Sequence, residues 1–236
     1  MIPLYGLAAS CMGVAATPGI LLLQATFGWT ENLGPVLRAA VLGPAVAASY
    51  FAYGFSLLLV LPAVNFALRL KLKAWRGPYL SLQILPWFVH NGLTYIARYT
   101  FLELVTPTPF SIGFYKLMGM KIGRGVELNT THISDPSMIT IGDKVTIGGS
   151  AALVAHYAAG GYFVLSPIVI EAGATIGLRA IIMGGVQIGK GAKILPNSFV
   201  MPKTRVPAGE TWGGIPARKL EREQLVTIQS RDDEAA

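Results

Sequence analysis

An aliphatic residue recurs every six positions along the second half of the chain, and this period restricts the fold more than any other feature. Its longest run is Ile170, Ile176, Ile182, Ile188, Ile194 and Val200. The positions four residues after these hold Ala174, Ala180, Val186, Ala192 and Ser198. One large and one small inward residue in every six describe a coil with three flat faces, as in solenoid proteins. An α-helix would need a period of about 3.6 residues and would tolerate few of the glycines found here.

An earlier block of the chain keeps the same spacing. It contains Ile122, Leu128, Ile141, Ile147 and Leu153. The register then breaks, because Leu153 and Ile170 are 17 residues apart. The sequence therefore predicts an all-β parallel β-helix over residues 119–220, with residues 157–163 looped out directly after His156. In solenoids, insertions collect on one face and often form the binding site.

The N-terminal third of the chain has the composition of a membrane segment. Residues 1–68 contain two charged side chains, Glu31 and Arg38. Two apolar stretches, 2–27 and 39–68, each reach the length of about 20 residues that a helix needs to cross a bilayer. They predict a transmembrane helical hairpin within residues 1–77. A cleaved signal peptide is the alternative for the first stretch, although it lacks the usual basic residues before its apolar run.

A basic cluster follows the second apolar stretch. It consists of Arg69, Lys71, Lys73 and Arg76. An excess of Lys and Arg beside a span marks the cytoplasmic side, and such a cluster also attracts anionic lipid. We therefore expect the protein in the inner membrane, with the β-helix facing the cytoplasm. The net charge of +7 does not imply nucleic-acid binding, because the basic residues belong to no recognisable nucleic-acid motif.

Residues 78–118 are apolar but are interrupted by prolines at positions 78, 86, 107 and 109. Proline ends or kinks helices, so no single span fits this segment. It is predicted to be a connector of helices lying in the membrane interface, with a re-entrant segment as the alternative. Residues 221–236 are predicted to be a polar C-terminal tail.

The repeat, the loop and the end of the repeat region together resemble the hexapeptide-repeat acyltransferases over about residues 110–220. The motifs that carry the resemblance are Val154-Ala155-His156, Met183-Gly184-Gly185-Val186-Gln187-Ile188-Gly189 and Gly213-Gly214-Ile215-Pro216-Ala217-Arg218. In the last motif, Ile215 stands where the family usually has Asn. The resemblance implies a left-handed parallel β-helix, a homotrimer, and acetyl-CoA or another acyl-CoA as co-substrate.

A closer resemblance is to the membrane-associated acetyltransferase-like regions at the ends of some nonribosomal peptide synthetases of the polylysine synthetase type. It rests on residues 108–110, 116–125 and 130–136. Residues 1–236 contain no adenylation or carrier sequence. The resemblance therefore implies a separate partner, which would be a nonribosomal peptide or polysaccharide biosynthetic protein.

Acyl transfer from a thioester needs a base for the acceptor and hydrogen-bond donors for the oxyanion. The resemblance assigns the catalytic base to His156, and a neutral imidazole suits that task. Its position, where the regular coil gives way to the loop, supports the assignment independently. A histidine that merely caps a turn is the alternative.

Two further sets of residues are candidates for the site. The residues expected to line the acceptor are His132, Asp135, Tyr157 and Tyr162, although the polar stretch around His132 and Asp135 could equally satisfy a turn. The resemblance places coenzyme A along Gly184, Gly185, Lys203, Gly213, Gly214, Pro216, Ala217 and Arg218. The alternative for the basic residues of this set is that they lie on a solvated face of the protein and bind no phosphate.

The sequence thus predicts a membrane-anchored O- or N-acyltransferase, with an acetyl group as the favoured acyl group. Its acceptor would be a hydroxyl or amine of a membrane-associated molecule, a polymer or a peptide. One alternative is a non-catalytic β-helix scaffold for a membrane-bound biosynthetic complex. Another is a γ-type carbonic anhydrase, which needs three histidines around zinc. The repeat region has only His132 and His156, so no metal site is predicted.

Overall fold

A computed structural model describes residues 2–221 of the chain. The chain divides into two compact units, the first formed by Met1–Leu70 with Leu85–Val105 and the second by Lys71–Ile84 with Thr106–Ala236. The segment predicted as one connector, 78–118, is therefore shared between the two units. The predicted polar tail, 221–236, lies outside the described residues except for its first residue.

The first unit is helical. It contains α1 Ile2–Trp29, α2 Pro35–Ala67, α3 Leu85–Ala97 and a π-helical turn at Arg98–Leu102. Two of these helices, α1 and α2, are long and apolar enough to cross a membrane. Prolines 18, 44 and 62 lie inside them, as membrane helices allow when neighbouring groups cover the freed backbone.

Small residues let the helices of this unit approach closely. A Cβ at Gly19 of α1 would lie 2.6 Å from the carbonyl oxygen of Ser49 on α2, which is typical of paired membrane helices. The buried polar side chains also find partners. His90 Nδ1 lies 2.8 Å from Asn65 Oδ1, and both residues are buried. This contact accounts for His90 as part of the packing.

The second unit is built on three parallel sheets that the chain visits in turn. The first sheet contains β2 Lys121–Ile122, β5 Ile139–Ile141, β10 Ile168–Ile170, β13 Gln187–Ile188 and β16 Arg205–Val206. The second contains β3 Glu127–Leu128, β6 Thr146–Ile147, β11 Thr175–Ile176, β14 Lys193–Ile194, β17 Thr211–Gly214 and the antiparallel β18 Ala217–Lys219. The third contains β4 Ile133–Ser134, β7 Ala152–Val154, β12 Ile181–Met183 and β15 Phe199–Val200.

The residues of the six-residue period line the inside of these sheets. The predicted inward positions from Ile170 to Val200, both large and small, are all buried. Ile170 pairs with Ile188, 18 positions later, so one regular coil takes three hexads. Corners are tight enough to need glycine: a Cβ at Gly148 would lie 2.7 Å from the backbone nitrogen of Leu178.

One end of this unit begins with a short helix, α4 Pro109–Leu117. Its N-cap is Thr108, whose side chain accepts a hydrogen bond from the backbone N–H of Phe110, which satisfies one of the open donors of the first turn. The buried Tyr115 donates its hydroxyl to the carbonyl of Thr131 at 3.1 Å. Helix α4 is thereby joined to the first coil.

Candidate active site

The out-of-register loop is a β-hairpin that leaves the coil after β7. Its strands are β8 His156–Ala159 and β9 Tyr162–Leu165, and β1 Trp75–Pro78 pairs with the outer side of β9. Gly160 and Gly161 form the two-residue turn with φ values of +57° and +80°, a conformation that suits glycine and the twist of a hairpin. Ile141 pairs with Ile170 across this excursion although they are 29 positions apart.

His156 meets an acidic partner at the base of the hairpin. Its Nδ1 lies 2.7 Å from Oδ2 of Asp135. The Asp135 side chain is fully buried, whereas the His156 side chain is 21% exposed. An ionised carboxylate only accepts hydrogen bonds, so with Asp135 ionised Nδ1–H is the donor, and in the neutral ring the remaining lone pair lies on Nε2.

The stacking of the coils brings these two residues together. Ser134 at the end of β4 pairs with Val154 at the end of β7, so the residues that follow the two strands meet at the same corner. Asp135 turns the chain there in a left-handed conformation, with φ 62° and ψ 51°, which Asp tolerates better than most residues. The 3-10 turn Pro136–Met138 follows it.

Aromatic rings fix the imidazole from the side. The ring of His156 stacks on Phe163, with centroids 5.4 Å apart and an angle of 23° between the planes. Phe163 is buried, and Tyr79 meets it edge-on at 5.6 Å. Because Phe163 belongs to β9 and Tyr79 follows β1, two neighbouring strands of the hairpin sheet support the orientation of His156.

The predicted coenzyme A residues form two groups. The first group is Gly184, Gly185 and Lys203, at the corner beside the hairpin. A Cβ at Gly184 would lie 2.9 Å from the carbonyl oxygen of Ala155 and 3.2 Å from the ring of Tyr157. Gly185 has φ +82°, and the backbone N–H of Lys203 donates to the carbonyl of Gly184 at 3.0 Å. This corner thus carries close backbone packing and one cation near the start of β8.

The second group lies in the β17–β18 hairpin on the last coil. Gly213 pairs with Arg218 and Gly214 with Ala217, while a cis peptide bond joins Ile215 to Pro216. Gly214 N–H donates to Ser198 Oγ at 3.2 Å. The ammonium of Lys219 on β18 lies 2.9 Å from Glu210, just before β17, and its hydrogen bond lowers the pKa of that carboxyl.

The structure does not bring all the residues predicted to line the acceptor to one place. Asp135 bonds to His156, and His132 is half-buried in the segment just before it. Tyr157 and Tyr162 lie on the other face of the hairpin sheet, because strand residues alternate in direction and His156 and Phe163 share the first face. Arg76 covers the ring of Tyr162, with its guanidinium 4.6 Å from the ring centroid.

Sequence reasoning missed the strand β1 and the contacts of Phe163 and Tyr79. It also missed the bond between Asp135 and His156, although one signal was available: Asp135 directly follows β4, and His156 stands two residues after β7, the paired strand of the next coil. Within residues 2–221 no group of three His, Cys, Asp or Glu side chains could hold a metal ion. His132 and His156 therefore have no third metal ligand within the described part of one chain.

Three parallel sheets with a buried six-residue period define this chain as a hexapeptide-repeat protein. The model of the hexapeptide repeat of succinyl-transferase matches residues 167–201. The resemblance to the hexapeptide-repeat acyltransferase family is therefore confirmed.

Individual relatives agree with this class. The chain is 29% identical over 153 residues to delta-poly-L-ornithine synthetase of Acinetobacter baumannii, covering 65% of this chain and 11% of that protein. It is 37% identical over 107 residues to the mitochondrial gamma carbonic anhydrase 2 of Arabidopsis thaliana, covering 44% of this chain and 34% of that protein. The chain thus spans about a third or less of the length of these two relatives.

A solved structure of a hexapeptide-repeat acetyltransferase from Vibrio cholerae, complexed with acetyl coenzyme A, is also similar. It is 22% identical and has a TM-score of 0.44. The match covers 65% of this chain and 96% of that one.

Proposed function

We propose that this protein is a membrane-anchored acyltransferase that moves an acyl group, in the simplest case acetyl, from acyl-CoA to a hydroxyl or amine acceptor. One observation carries the proposal: His156 Nδ1 lies 2.7 Å from Oδ2 of the fully buried Asp135, where the hairpin leaves the coil. A histidine oriented by a buried carboxylate is the arrangement that a general base requires. The family resemblance supplies the thioester donor.

The proposed reaction uses Nε2 of His156. Nε2 takes the proton of the acceptor O–H or N–H as the acceptor oxygen or nitrogen attacks the thioester carbonyl. The tetrahedral intermediate then breaks its C–S bond, and the leaving thiolate takes the proton back from the imidazolium. Asp135 would hold the tautomer in which Nδ1 is protonated and would stabilise the imidazolium that forms.

For the donor, we propose a path beside the Gly184-Gly185 corner. The close packing at Gly184 and Gly185 fixes the backbone of the corner along which the donor would lie, and the ammonium of Lys203 can attract a phosphate. The β17–β18 hairpin, with Arg218, would bind a further part of the coenzyme. We also propose the left-handed coil and the homotrimer that the family resemblance implies.

The proposed location is the inner membrane, with the second unit in the cytoplasm, where acyl-CoA is available. The support is the length and apolar composition of α1 and α2 and the basic residues Arg69, Lys71 and Lys73 after α2. A partner in the synthesis of a peptide or polysaccharide polymer is proposed as well. The similarity to a poly-L-ornithine synthetase favours it.

Radiolabelled acetyl-CoA provides the test. The full-length protein in nanodiscs is incubated with the labelled donor and a membrane extract as the source of acceptors. We expect a labelled product with the wild type and at least about 100-fold less with His156→Ala, the usual size of a general-base contribution. Lys121→Ala, at an exposed position on β2, is the control and is expected to retain transfer. Equal transfer by the wild type and His156→Ala would contradict the proposal.

A γ-type carbonic anhydrase is the second candidate, favoured by the 37% identity over 107 residues. It is the weaker candidate because the described residues lack a three-ligand metal group. Stoichiometric zinc together with CO₂ hydration would support it. Binding of the donor distinguishes the enzyme from a non-catalytic scaffold. The unfolding temperature of a scaffold would not change when acetyl-CoA is added.

A further inference from the structure

The strand β1 belongs to a segment that joins the candidate site to membrane-proximal chain. We name this segment, residues 75–84, the strap. It begins eight positions after α2 ends at Ala67 and stops directly before α3 begins at Leu85. The strap is therefore the part of the second unit that lies in sequence between a candidate span and another apolar helix.

The strap is built into the hairpin that carries His156. Trp75 pairs with Leu165, which in turn pairs with His156 across the sheet. The indole N–H of Trp75 donates to Gln83 Oε1 at 2.8 Å, so the strap folds back on itself. Together with the edge contact of Tyr79 on Phe163, these bonds tie the strap to the ring that stacks on His156.

The turn of the strap presents apolar side chains to the outside. Leu80 is 97% exposed and Leu82 is 88% exposed. Tyr79, half-exposed beside them, keeps one side of its ring on Phe163. Apolar side chains exposed together in this way are typical of a surface that contacts a membrane or another protein.

The features around this surface favour a lipid bilayer as that phase. Arg69, Lys71 and Lys73 are exposed in the chain leading to the strap, and basic residues there attract anionic head groups. Trp75 and Tyr79 are residue types that prefer the membrane interface. In the sequence, only residues 68–74 separate the end of α2 from the start of β1.

We propose that residues 79–82 of the strap contact the membrane interface and hold the His156 face of the hairpin at the bilayer surface. One consequence rests on the proposed function: the acyl acceptor is a lipid-anchored molecule presented at that surface. A soluble acceptor would not need the strap.

Charge substitutions test the consequence for the acceptor. We expect Leu80→Glu combined with Leu82→Glu to lower transfer into the lipid-extractable fraction at least tenfold while acetyl-CoA binding stays unchanged. Leu178→Glu, on the coil after β11 and 50% exposed, is the matched control and is expected to leave both unchanged. Transfer that enters only water-soluble products and is unaffected at positions 80 and 82 would overturn the inference.

A labelling experiment tests the membrane contact without any need for activity. In a Cys11→Ser background, nitroxides are placed at Leu80→Cys, Leu82→Cys or Leu178→Cys in full-length protein. Nanodiscs of phosphatidylcholine and phosphatidylglycerol supply the bilayer. We expect labels at 80 and 82 to collide more with oxygen, which concentrates in lipid, than with a water-soluble nickel chelate, and the label at 178 to show the reverse. Equal preference for the nickel chelate at all three positions would overturn the proposal, even if acyl transfer is observed.

Discussion

The carboxylate of Asp135 is fully buried, and the imidazole of His156 lies 2.7 Å from it. A buried charge is costly unless a hydrogen-bonded partner compensates it, so each residue depends on the other. The left-handed backbone at Asp135 aims its side chain at the corner where β7 ends. At this scale the candidate site is one hydrogen-bonded His–Asp pair, with Asp135 in a left-handed backbone conformation.

Asp135→Asn tests the role of the carboxylate. Asn keeps the size of the side chain but removes the charge that would stabilise the imidazolium, so we expect kcat to fall by about 100-fold or more with acetyl-CoA binding unchanged. The matched control is Asp143→Asn, because Asp143 also accepts a hydrogen bond at a coil corner, from the backbone N–H of Arg124. Equal kcat values for the two variants would show that Asp135 only stabilises its turn.

Gly184→Ala tests the close packing at the donor corner. The added methyl would lie 2.9 Å from the carbonyl oxygen of Ala155, so the start of the hairpin must move, at a cost of roughly 1–3 kcal/mol. We expect a lower unfolding temperature and weaker acetyl-CoA binding. Gly113→Ala on α4 is the control, since a Cβ there meets nothing within 4 Å. A Gly184→Ala protein as stable as this control would contradict the close contact.

The hairpin sheet is the element that turns a regular coil into a candidate site. Its strand β9 lies between β8, which carries His156, and β1 from the strap. Phe163 in β9 contacts both His156 and Tyr79. The sheet thus connects the strap to the proposed base both by strand pairing and through the buried ring of Phe163.

Phe163→Leu tests that connection. Leu keeps much of the apolar volume but removes the flat ring under the imidazole, so we expect kcat to fall more than the KM for acetyl-CoA rises. Phe199→Leu makes the same change in β15 of the coil and serves as the control. The account would be contradicted if both variants changed the two constants alike.

At the scale of elements, the six-residue period predicted which side chains are buried between Ile170 and Val200. It also located the excursion after His156. It did not predict β1, because the partner of Trp75 in that sheet is Leu165, 90 positions away, and the segment ends in Pro78, which is tolerated at the edge of a sheet. Asp135 was found as a candidate, but its bond to His156 depends on how two coils stack, which shows only when β4 is aligned with β7.

The two units of the molecule are stabilised in different ways. The helical unit satisfies its backbone within each helix and leaves large apolar side chains such as Leu21 and Leu59 exposed, a combination that the proposed lipid environment would accommodate. The coiled unit buries one row of side chains per face, so each coil rests on the next. The amino-acid composition predicted the division between an apolar N-terminal part and the coiled part. It did not predict that residues 71–84 belong to the second unit, because this depends on the pairing of β1 with β9.

The central claim is that His156 and Asp135 act as one catalytic unit in acyl transfer. The most direct test is a double-mutant cycle, with kcat for acetyl transfer measured for His156→Ala, Asp135→Asn and the double variant in nanodiscs. Groups that act together are not additive. We predict that Asp135→Asn causes no further loss once His156 is alanine. A double variant slower than His156→Ala by the full factor seen for Asp135→Asn alone would contradict the account.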